Sequence, residues 1–116
     1  MIVKVNASVR PQTYKGTFIV KLLEVDMFED DLLAHKVERL SGDSMGYQRD
    51  RNVPEVVAFE FFISAIQLAE VTAELKIAVY SKEGDLLAKS EVVNFHLLKE
   101  YSSKGTKTIE MPEVIN

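Results

Sequence analysis

Six segments of this chain alternate apolar and polar residues with a period of two, and turn signals join most of them. A strand places successive side chains on opposite faces, so this pattern demands sheets with one buried and one wet face. The clearest pair runs from Ala73, Leu75, Ile77 and Val79, through the turn residues Lys82-Glu83-Gly84, into residues 86–98. Gly84 supplies the positive φ that a short hairpin loop often needs.

The other segments follow the same rule. Val3, Val5, Ala7 and Val9 form one face of a first strand, which Pro11 ends because proline cannot donate to a ladder. Residues 17–25 are apolar on both faces, Phe18, Val20 and Leu22 against Ile19, Leu23 and Val25, as expected of a strand with neighbours on either side. Val57, Phe59, Phe61 and Ile63 make a third core face, and Phe62 points the other way, over a second layer or into a contact patch. Ser64-Ala65-Ile66-Gln67 has the spacing of a capping box and predicts one or two helical turns. Residues 86–98 are long for one strand, so a bulge or bend is expected near Ser90. Residues 107–111 form a short sixth strand, stopped by Pro112.

Residues 30–40 are ambiguous. Acidic Glu29-Asp30-Asp31, then Leu33, Val37 and Leu40, then Lys36, Arg39 and a terminal Gly42 read as a helix with charges matched to its dipole. Leu33, His35, Val37 and Arg39 also alternate as a strand would, and the helix is the preferred reading. The expected fold is a mostly β, antiparallel β-sandwich of six to seven strands, immunoglobulin-like in arrangement, with a short helix near residues 30–40; the alternative is α+β. The stretch AELKIAVYSKEGDLLAKS, residues 73–90, resembles the strand-hairpin-strand near the end of many immunoglobulin-like modules, though it carries no motif of one family.

Composition narrows the function classes. At 116 residues one domain is expected, large enough to hold a core without metals or disulfides. The net charge of −4 argues against general nucleic-acid binding. With no cysteine there is no disulfide, thiolate zinc site or cysteine nucleophile. No apolar run has signal-peptide or membrane-span length, so an intracellular protein, or a piece of a longer chain, is expected; the cytoplasm is favoured over other compartments.

Sharper readings mostly fail in context. Gly42-Asp43-Ser44-Met45-Gly46 matches the nucleophile elbow G-x-S-x-G, but no helical pattern follows it. The string GDS is similar to the opening of the small SGNH esterases, yet the late D-x-x-H of that family is missing, since Val93 stands where the aspartate would precede His96. Glu24, Asp26, Glu29, Asp30 and Asp31 are an acidic run without EF-hand spacing, and Asp31 with His35 would make a metal pair only on a helix turn. No cofactor, catalytic residue or metal ligand is assigned.

What remains is surface. Residues 41–54 read as a long polar loop, and loops of that length are commonly functional. Met45, Tyr47, Arg49 and Arg51 are its candidate partner-binding residues, because tyrosine and arginine are enriched in binding hot spots. Tyr101 is a further loop candidate. The leading expectation is a non-enzymatic protein–protein interaction or assembly module whose partner is a protein, with no nucleic acid or membrane; a homodimer through an edge strand is compatible with it. The alternatives are a β-sandwich that binds sugar or calcium and, third, a small serine hydrolase using Ser44.

Overall fold

A computed structural model describes residues 1–10, 16–40, 56–68, 72–96 and 105–115. Two sheets face each other across one core. The first has β4 (Val57–Ser64), β1 (Ile2–Arg10) and β8 (Thr106–Glu110) in that order, with β9 (Val114–Ile115) also on β1. The second runs β3 (Asp31–Leu40), β2 (Gly16–Glu24), β5 (Thr72–Ser81) and β6 (Leu86–Lys89), with β7 (Val93–His96) also on β5. The fold is therefore the mostly β sandwich that the alternation demands, with nine strands among the described residues rather than six or seven.

The two inner faces are the ones the period of two marks. Val3, Val5, Ala7 and Val9 meet Phe59, Phe61 and Ile63 across the antiparallel β1–β4 ladder. Across β2–β5, Val20 lies opposite Val79 and Leu22 opposite Ile77, with Phe18 and Leu75 on the same inner face. Both sets join one buried cluster. The two-faced strand β2 lies between β3 and β5, and its outward Leu23 is also buried. The capping-box segment makes one 3-10 turn, Ala65–Gln67, in which Gln67 Oε1 accepts the Ser64 N–H at 2.9 Å.

Residues 30–40 correct the helical expectation, because Asp31–Leu40 is strand β3, paired antiparallel with β2 along its length. The acidic residues that imitate a helix start serve the preceding turn instead. Asp26 Oδ1 accepts the Met27 N–H at 2.6 Å, and Asp30 Oδ1 accepts the Asp26 N–H at 3.3 Å. Short acidic side chains close turns in this way as readily as they cap helices. The register shifts between Leu22, opposite Ala34, and Leu23, opposite Leu32. Leu33 is the extra residue of a bulge, so the faces of β3 exchange there.

Residues 86–98 break as expected near Ser90. β6 ends at Lys89 and β7 begins at Val93. In the gap, the Ser90 N–H donates to Ile77 O at 2.8 Å while Ser90 Oγ accepts the Ile77 N–H at 2.9 Å. One residue thus satisfies both ladder groups of Ile77 on the side where the gap between β6 and β7 leaves no strand. Past Pro112 the chain returns to β1 as β9, a step the sequence pattern does not predict; β8 covers Ile2 to Asn6 and β9 covers Val9 and Arg10, both parallel to β1. Gly84 turns the β5–β6 hairpin at φ +95°.

Candidate functional site

The loop candidates Met45, Tyr47, Arg49 and Arg51, together with Ser44 and Tyr101, lie outside the described residues. The surface that can be built from residues upward is the outer face of the five-stranded sheet.

The ladders align side chains in rows across that face. Val37 lies opposite Ile19, Ile19 opposite Tyr80, and Tyr80 opposite Leu86. This row crosses four strands, β3, β2, β5 and β6, and is apolar apart from the tyrosine hydroxyl. Its two ends, Val37 and Leu86, are exposed, and Ile19 and Tyr80 between them are half-buried. Next to it runs a basic row, in which His35 lies opposite Lys21, Lys21 opposite Ala78, and Ala78 opposite Lys89. Lys21 leans back over the apolar row, its Nζ 4.3 Å from the centre of the Tyr80 ring. A cation over a tyrosine face is worth about 0.5–1 kcal/mol at an exposed site. The third row sets Leu32 opposite Leu23 and Leu23 opposite Lys76.

The turn before β3 closes this end of the face. Asp30 Oδ2 binds Lys76 Nζ at 2.6 Å, both side chains being largely covered. The hydrogen bond from Lys76 holds the Asp30 carboxyl below its ordinary value of 3.8; the Asp26 N–H adds to this and burial opposes it. That anchor leaves the tip of the turn projecting, with Met27 85% and Phe28 93% exposed.

The outer face of the other sheet has a different character. Lys4 pairs with Glu60 at 3.5 Å, Asn6 Nδ2 donates to Glu110 Oε1 at 2.7 Å, and Arg10 pairs with Glu113 at 3.0 Å. Phe62 is on this face and 61% exposed, so among the described residues no second layer covers it.

The remaining sequence candidates are dispersed. β3 being a strand, Asp31 and His35 are about 13 Å apart along it, at roughly 3.3 Å per residue, and do not form a pair. His35 is on β3 and His96 on β7, with β2 and β5 between them. Of the acidic run, Glu24 is buried and Asp30 is committed to Lys76. Among the described residues no three histidines, aspartates or glutamates converge to hold a metal ion, and no helix is long and apolar enough to cross a membrane. Comparison with protein-family models, with curated proteins and with solved structures gave no match to this chain.

The outward apolar row was missed by reading each strand alone. Val37, Ile19, Tyr80 and Leu86 become a row only through the register between strands, to which single-strand periodicity is blind.

Proposed function

We propose that this chain is a non-enzymatic protein–protein interaction or assembly module, and that the outer face of its five-stranded sheet is the contact surface. The observation that carries the reading is the row Val37–Ile19–Tyr80–Leu86, flanked by Lys21 and Lys89, on a sheet whose β2–β3 turn projects Met27 and Phe28 into solvent. Interfaces combine an apolar and aromatic centre with a charged rim, and this face has both. The loop residues Met45, Tyr47, Arg49 and Arg51 belong to the same proposal as a second contact region. So does the immunoglobulin-like arrangement, in the sense of a sandwich whose sheets and connecting loops are offered to partners.

The test is a photo-crosslinking amino acid placed at Leu86, with the same group at Phe62 on the opposite sheet as control. Both positions are exposed, so neither substitution disturbs the core. A defined protein adduct from position 86, absent from position 62 and lost on Phe28→Glu, is expected. Equal adducts from both faces, or none from position 86, would refute the assignment of the surface. Tyr47→Ala with Arg49→Ala tests the loop in the same assay, where loss of the adduct is again expected.

A further inference from the structure

We infer that β3 is a self-recognition edge, through which two copies of the chain pair antiparallel about a twofold axis at Val37. This deepens the interaction-module reading by naming a second copy as a partner. Among the described residues β3 is the end of its sheet, and ten residues long. An open edge of this length can accept another strand, and the same edge is present on every copy.

The charges on β3 select the register. Lys36 and Glu38 lie opposite Val20 and Phe18, so both are on the core-side face of the edge. Lys36 Nζ is 5.8 Å from the Phe61 ring of the facing sheet, and Glu38 has no ion pair among the described residues. Inward-pointing charges on an edge strand oppose indiscriminate pairing. A twofold pairing must also keep like faces together, because a one-residue slip turns every side chain over. That leaves only registers centred on a residue.

A centre at Lys36 sets lysine against lysine, and a centre at Glu38 sets glutamate against glutamate. A centre at His35 brings Asp31 opposite Arg39. The bulge at Leu33 defeats that pair, since Asp31, opposite Glu24, has turned to the inner face while Arg39, opposite Thr17, is on the outer. A centre at Val37 sets Lys36 of each copy opposite Glu38 of the other. It joins the two exposed Val37 side chains on the outer face and uses only residues beyond the bulge. His35 then faces Arg39, both on the outer face of the strand. Two cross-strand ion pairs and one apolar pair are gained, each of a kind that stabilises sheets. The dimer would join two five-stranded sheets and make their apolar rows continuous.

Sedimentation equilibrium on the full chain, from micromolar to near-millimolar concentration, tests this with four proteins: native, Lys36→Glu, Glu38→Lys and the double exchange. The native chain should dimerise, each single variant should bind its own copy about tenfold more weakly or worse, and the double exchange should recover dimerisation. Circular dichroism of each variant separates lost pairing from lost folding. The chain has no cysteine, so Val37→Cys alone offers a direct check of register. Opposed Cβ atoms in an antiparallel pair are about 4.5–5.5 Å apart, close enough for a disulfide after small adjustment. Oxidation should link Val37→Cys rapidly and Thr108→Cys, on the other sheet, only at the rate of random collision. A chain that stays monomeric throughout, dimerises equally in all four forms, or links both cysteine variants at one rate would overturn the inference. A position-86 adduct from a monomeric chain would leave the interaction-module reading standing while this inference fell.

Discussion

Replacing Ser90 by alanine removes a single oxygen, and the structure says that oxygen closes the gap between β6 and β7. Its Oγ accepts the Ile77 N–H at 2.9 Å and donates to Glu91 O at 2.9 Å. Ser90 is 8% exposed and Ile77 fully buried, so water cannot readily replace it. In Ser90→Ala the Ile77 N–H loses its acceptor inside the core. A buried donor left unpaired costs about 1–3 kcal/mol. Unfolding entropy near 2.1 cal/mol/K per residue makes 1 kcal/mol worth about 4 °C of Tm at this chain length. Ser90→Ala should therefore lower Tm by about 4–12 °C in differential scanning calorimetry. Ser81 provides the comparison, since its Oγ accepts the Asp85 N–H at 3.1 Å in the exposed hairpin turn. There water takes over the vacated site, and Ser81→Ala should cost well under half as much. Hydrogen exchange gives the site-specific reading: the Ile77 amide should lose protection in Ser90→Ala more than the Val79 amide does. Equal Tm losses for the two serine variants, or an unchanged Ile77 amide, would refute the view that the serine hydroxyl substitutes for a strand there.

Three further outcomes follow from the packing and charge. Leu75→Ala and Ile77→Ala, each at a wholly buried site between the sheets, should each lose about 2–5 kcal/mol in urea titration; a loss under about 1 kcal/mol would mean that the face is assigned wrongly. Gly84→Ala meets no atom within 4 Å of the added carbon, so its cost is the backbone's alone at φ +95°, about 1–2 kcal/mol by thermal melting, and Gly84→Asn should cost less. Asp30 has its carboxyl lowered by Lys76, so the folded state binds that proton less readily than the unfolded one. The pair's contribution is present above the ordinary value of 3.8 and is lost as pH falls below it through the lowered folded value. Partial exposure limits it to about 0.5–1 kcal/mol, and Asp30→Asn should remove that difference between neutral and acid melting curves.

The inner faces of this sandwich were legible because burial writes itself into a chain two residues at a time. Each inward position of β1, Val3 to Val9, and of β5, Ala73 to Val79, is apolar and buried. The break at Ser90 was legible as excess length. β3 was not, for a physical reason: among the described residues it is an edge strand with Lys36 and Glu38 on its inner side, and its Leu33 bulge shifts the alternation by one. With charges on its inward positions β3 shows no apolar core face, so the alternation of His35, Val37 and Arg39 does not outweigh the helical spacing, and the acidic turn before it imitates a helix cap. β9, with two residues, is too short for any period to show.

The same features that hide β3 as a strand bear on what it does. Interior strands need only be apolar on the core side, and their pairing is settled by burial. An edge strand has a second demand, to refuse most neighbours, and charge and bulge supply that refusal. On β3 the refusal is selective. Lys36 and Glu38 each meet their like when the axis falls on either of them, and meet their opposite only when it falls on Val37 between them. The alternative centre at His35 is disabled by the bulge at Leu33. A strand built only for solubility would be as well served by lysine at both positions, which repels with the axis at any of the three residues. Glu38→Lys therefore separates the two purposes: a purely protective edge would tolerate it without consequence, whereas an edge built for its own copy should lose its partner.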